Sequence, residues 1–126
     1  MTDIHLPKHM RGIYLNGHGD FDQLELRHDI AIPDIGLHDV LIRVHAAGVN
    51  NTDINTRIGW YSKNNNADED ASWTGNAITF PRIQGIDVCG DIVAVGDSIN
   101  TNRIGERVLV EPCLKEALIK PIRIRR

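Results

Sequence analysis

No apolar run in these 126 residues approaches the roughly 20 needed to span a bilayer. The opening segment, MTDIHLPKHMR, contains no apolar core of a signal peptide. The expectation is a cytoplasmic chain with no membrane partner. Only two cysteines occur, Cys89 and Cys113, far apart and outside any C-x-x-C arrangement. Neither a disulfide framework nor a thiolate zinc knuckle follows, and both thiols are expected to be reduced. No G-x-G-x-x-G and no G-x-x-x-x-G-K-[ST] is present, which removes two glycine-rich phosphate cradles. Internal repeats and low-complexity tracts are missing, and helix signals are sparse.

What remains is an ordinary globular composition, 41% hydrophobic and 25% charged, in a chain long enough for one small domain. The net charge of −3 is unevenly spread, since the closing KEALIKPIRIRR holds five basic residues against one acid. That tail reads either as a phosphate-binding segment or as a solvated end. No nucleic-acid partner is expected. Strand signals dominate: RGIYLN, QLELRHDI, DVLIRVHAAGV, DVCGDIVAVG and RVLVEP alternate or run apolar between Gly, Pro, Asn and Asp. In VLIRVHAAGV, Leu41, Arg43 and His45 fall on one face and Val40, Ile42, Val44 and Ala46 on the other. Gly85, Gly90, Gly96 and Gly105 interrupt strand pattern, as glycines do at bulges, barrel corners and close backbone approaches.

Between the strands, NNTDINTRI predicts two helical turns capped by Asn50 or Asn51, with Asp53 near the positive end of the dipole. A loop of more than twenty residues is expected from Gly59 to Phe80. Trp60, Tyr61 and Trp73 flank its polar part, either as a pocket wall or lid or as pins to the core. His5 and His9 stand four apart in a proline-broken tail and the other histidines are scattered, so no metal site is expected among them. The fold class predicted is mainly β, a barrel or sandwich with one or two short helices and a long loop.

Four segments, MRGIYLNGHGDFDQLEL, DVLIRVHAAGVNNTDINTRIGWY, FPRIQGIDVCGDIVAVGDSI and IGERVLV, together resemble the N-terminal GroES-like domain of the medium-chain dehydrogenase/reductase superfamily. The resemblance covers about Met10 to Val110 and implies a partly open β-barrel. It places a GroES-like domain at 11–112, with an N-terminal tail at 1–10 and a basic tail at 113–126. In the zinc-dependent branch a cysteine ligand occupies the position of Asn50, and a Gly-His-Glu occupies Gly85, Ile86 and Asp87. An amide and an alkyl group cannot replace a thiolate and an imidazole around Zn²⁺. The chain instead resembles the zinc-free quinone-oxidoreductase-like branch through Gly48, Asn50, Asp53, Arg57, Gly59 and Tyr61.

That resemblance implies hydride transfer between NADPH and a carbonyl, quinone or activated alkene. Asn50, Thr52 and Tyr61 are the implied catalytic residues, Asn50 and Tyr61 by holding the substrate oxygen and Thr52 at a proton-relay position. Arg57 is expected to meet a cofactor phosphate or a carboxylate. Asn51, Asp53, Trp60 and Asp87 are expected at the substrate pocket, although Asp53 is also suited to fixing its own turn. No metal ligands are expected. The superfamily's Rossmann cofactor domain has no counterpart in these 126 residues, so tight NADPH binding by the chain alone is not expected. Two readings stand: a reductase catalytic fragment that needs a cofactor domain, or a small binding or self-assembly module that keeps the barrel without catalysis. In both, a homo-oligomer is expected.

Overall fold

The computed structural model describes residues 5–63, 78–110 and 120–121. It is mainly β, as expected, with one α-helix. The strands are β1 (His9–Leu15), β2 (Leu24–Ala31), β3 (Val40–Ala47), β4 (Val88–Val95), β5 (Arg107–Leu109) and β6 (Lys120–Pro121), and the helix α1 is Asn51–Arg57. The strands form two open sheets, β1-β2 and β3-β4-β5-β6. The chain divides into two compact units interleaved in sequence. One comprises Met1–Lys8, Ile32–Gly48 and Gly85–Arg126, the other His9–Ala31 and Val49–Gln84. β1 starts at His9, within the stretch assigned to the N-terminal tail. Lys120–Pro121, within the basic tail, forms β6.

The first unit is the four-stranded antiparallel sheet. Val40 pairs with Val95, Arg43 with Asp91 and Val44 with Gly90, and β5 sets Val108 beside Gly90 and Arg107 beside Asp91. β6 extends the sheet at Val108 and Leu109. Its apolar centre is Ile92 and Val108, at 1% and 0% exposure. Two glycines exist for steric reasons. A Cβ on Gly90 would run into the carbonyl oxygen of Arg43, and one on Gly96 into that of Gly36. Gly96 also donates its N–H to the carbonyl of Asp39, so β4 ends against that turn. The strict alternation expected for β3 is broken by register shifts at Leu41/Ile42 and Val44/Ala46. From Arg43 to Ala47 the residues of both faces are exposed, Val44 at 53%.

The second unit is built on the β1-β2 ribbon, which carries a register shift at Met10/Gly12. Leu15 is 1% exposed, and its backbone exchanges hydrogen bonds with Arg82, 2.8 Å and 3.0 Å. A single 3-10 turn at Phe21–Gln23 precedes β2, with the Asp20 carboxylate accepting from the N–H of Phe21. After α1 the chain turns at Gly59, whose φ of 69° favours glycine, into a second 3-10 turn at Trp60–Lys63. Most of the expected loop, including Trp73, lies outside the described residues, as does Cys113.

Candidate functional site

The polar run Asn50–Asp53 lies at the start of α1. Asn50 is the N-cap, with extended backbone (φ −116°, ψ 163°), and the helix begins at Asn51. Asp53 occupies the third helical position, and its Oδ2 accepts from the Asn50 N–H at 2.8 Å in a capping box. The turn expected to be fixed by Asp53 is so fixed. A seven-residue helix is too short to be stable alone, because nucleation is costly and few bonds repay it. Side chains from elsewhere in the same unit hold it. Gln84 Nε2 donates to the Asp53 carbonyl at 3.1 Å. Within the helix itself, the Thr56 hydroxyl donates back to the Thr52 carbonyl at 2.8 Å. His18 Nδ1 lies 2.9 Å from the Thr56 carbonyl, so that nitrogen carries the proton.

Arg57 closes the helix and is only 9% exposed. Its Nη1 donates to the Gly19 carbonyl at 2.8 Å, while Gly19 returns its own N–H to the Arg57 carbonyl at 2.9 Å. Asp20 Oδ1 is 3.5 Å away, and the guanidinium lies 4.6 Å from the Phe21 ring centroid. Of the two partners expected for Arg57, these contacts supply a carboxylate. Beyond the helix, Trp60 and Tyr61 meet edge to face at 5.4 Å, with Trp60 55% exposed and Tyr61 half-buried. Asn50, Asn51, Thr52, Asp53, Arg57, Trp60 and Tyr61 thus share one unit. Asp87 belongs to the other, where its carbonyl accepts from Gly48 and its carboxylate lies against that glycine.

Sequence reasoning passed over two arrangements. Gln84 and Arg82 alternate with Pro81 and Ile83, and polar residues at period two were the available signal. In the four-stranded sheet, Asp91 takes Arg107 Nε at 2.6 Å and Nη2 at 3.2 Å, and His45 Nε2 at 2.7 Å. The hydrogen bonds from Arg107 first, then His45, pull the Asp91 carboxyl down to about 2. Nothing local in sequence links these three residues.

Among the described residues no three His, Cys, Asp or Glu gather. Also among the described residues, no helix is long and apolar enough to cross a membrane.

Residues 36–120 match the family model for the alcohol dehydrogenase GroES-like domain. The chain is 38% identical over 101 residues to a quinone oxidoreductase of Homo sapiens, covering 80% of this chain and 27% of that protein. It is 29% identical over 107 residues to a 2-methylene-furan-3-one reductase of Solanum lycopersicum, covering 85% and 24%. A crystal structure of a candidate alcohol dehydrogenase from Sinorhizobium meliloti 1021 superposes with a TM-score of 0.76 at 41% identity, covering 85% of this chain and 30% of that one. The chain therefore spans about a quarter of the length of the curated relatives it matches. By its matched residues, its open sheets and these relatives, the chain belongs to the alcohol dehydrogenase GroES-like domain family, the N-terminal domain of the medium-chain dehydrogenase/reductase superfamily.

Proposed function

We propose that this chain supplies the substrate-side half of a zinc-independent, NADPH-dependent reductase acting on a quinone, a carbonyl or an activated alkene. The observation that carries this reading is Asn50, an amide at the N-cap of α1 where the zinc enzymes of the superfamily keep a thiolate, with its backbone N–H held by Asp53. The nicotinamide, when bound, supplies the hydride. The protein's task is then to stabilise the negative charge that develops on the substrate oxygen. Donors aimed at that oxygen accomplish this at no reorganisation cost. Asn50 and Tyr61 are the proposed donors, and the Thr52 hydroxyl is the proposed site of proton exchange. Asn51, Asp53 and Trp60 are proposed around the substrate. Arg57, tied to the Gly19 carbonyl, positions the turn before Phe21 and is the residue proposed to face a cofactor phosphate.

A nucleotide-binding domain contributes phosphate contacts and nicotinamide orientation, and orientation alone is worth several kcal/mol of barrier. The test is titration of NADPH fluorescence and quinone reduction by the 126-residue chain, repeated after fusion to the nucleotide-binding domain of a related enzyme. Weak, salt-sensitive binding alone and turnover in the fusion are expected. Turnover by the chain alone at micromolar NADPH would contradict the proposal. A folded fusion without turnover would favour the second reading, a binding or self-assembling module. That reading draws on apolar side chains left in the open, Val49 at 82% and Phe21 at 72% exposure. Both readings include a homo-oligomer, checked by sedimentation over a range of concentrations.

A further inference from the structure

The stretch leaving the Phe80–Pro81 bond contains two polar side chains that the reductase reading does not use. Burial alternates along it: Pro81 and Ile83 are exposed, Arg82 and Gln84 half-buried. Arg82 and Gln84 therefore share a face. Both are anchored, Arg82 through its backbone bonds to Leu15 and Gln84 through Nε2 on the Asp53 carbonyl. Yet Arg82 Nε and Gln84 Oε1 are buried with no hydrogen-bond partner. Among the described residues no carboxylate pairs with Arg82.

A buried polar group left unsatisfied is costly, and more so when it belongs to a charge. Here two such groups of opposite sense, one donor and one acceptor, stand on one face. The orientation of Gln84 is settled, because only its NH₂ end can donate to Asp53 and the oxygen is what remains. Guanidinium binds carboxylate and phosphate oxygens in preference to neutral acceptors. A ligand that satisfies both groups must therefore bring an anionic oxygen and, beside it, an O–H or N–H.

We propose that Arg82 and Gln84 form a binding subsite for a small oxyanion with a neighbouring hydroxyl, the anion accepting from Arg82 and the hydroxyl donating to Gln84 Oε1. An α-hydroxycarboxylate is the simplest such ligand, and a sugar phosphate presents the same pair of groups. Gln84 hangs on Asp53, whose carboxylate holds Asn50, so the subsite adjoins the first turn of α1. It stands on these side chains alone and does not depend on hydride transfer.

The experiment is an NMR titration of the full chain with glycolate, acetate and ribose 5-phosphate, read at the Arg82 Nε–Hε and Gln84 side-chain amide signals. Saturable shifts at both are expected, with glycolate about tenfold tighter than acetate, the worth of the added hydroxyl bond. Gln84→Met is expected to bring that ratio to about one, and Arg82→Met to remove saturation while Arg82→Lys retains part of it. Tighter ribose 5-phosphate assigns the subsite to a phosphate, tighter glycolate to a carboxylate. The wild-type signals decide the matter even if a variant fails to fold. No saturation by either hydroxy-anion, shifts that follow ionic strength alone, or unchanged binding by a folded Arg82→Met would overturn the proposal.

Discussion

Arg107 and Arg57, one in each unit, are used in opposite ways. In the four-stranded sheet, Arg107 leans on Asp91 at 47% exposure, where water and salt screen it. In the unit containing α1, the Arg57 side chain is 11% exposed and its guanidinium is tied to a backbone carbonyl and an aromatic ring. The reason lies in what each unit already has. The sheet is held by its backbone ladder and by Ile92 and Val108, so its charges are accessory. A seven-residue helix has no ladder to spare and depends on side chains bonded to its backbone. Holding the candidate site geometry is thus a task of the Asp53, Arg57, His18 and Gln84 side chains, not of the helix's own short backbone ladder.

That comparison can be broken from either side. The largest effect is expected in the sheet unit, from Gly96→Ala. Its Cβ would meet the carbonyl of Gly36, and Leu37 O at 2.5 Å, so backbone must move. A loss of about 3 kcal/mol is expected in urea unfolding, and a neutral result would show that the turn can yield. Next comes Arg57→Met, which leaves the Gly19 carbonyl without its donor and takes the cation from Phe21. About 2 kcal/mol is expected, together with amide shifts confined to residues 17–23 and α1. An unperturbed spectrum would contradict the role given to Arg57. Asp53→Ala removes half of the capping box at a cost of about 1 kcal/mol, read by the same unfolding curve.

The smallest effect is expected at Asp91. Its folded pKa is depressed from 3.8 to about 2, so the stability it contributes is fully present above 3.8 and is lost as pH falls through about 2. The carboxyl carbon shift should titrate near 2, and the acid limb of the stability profile should flatten in Asp91→Asn. Added salt should weaken the effect. A titration midpoint at the ordinary carboxylate value would remove the cluster from the account.

The helix start, the strand pattern and the glycines in β4 were readable because each is a local signal. Asn50 or Asn51 at the head of NNTDINTRI predicts a cap, and Gly90 in a strand predicts a bulge, a corner or a close backbone approach. The bonds from Arg57 to Gly19 and from Gln84 to Asp53 were not readable, since they join residues 38 and 31 positions apart. The Asp91 cluster was hidden for a related reason. β3 and β4 pair across a connection far too long for a hairpin turn to set their register, and the bulges in β3 shift it again.

The central claim is that Asn50 does, without a metal, the work a zinc ligand's site does elsewhere in the superfamily. It is tested most directly by quinone-dependent NADPH oxidation in the fused enzyme, with a chelator present, for wild type and Asn50→Ala. The account predicts chelator-resistant turnover whose kcat falls about 100-fold in the variant, the usual cost of losing one donor to a developing oxyanion, with KM little changed. Turnover abolished by the chelator, or a folded Asn50→Ala enzyme as fast as wild type, would contradict it.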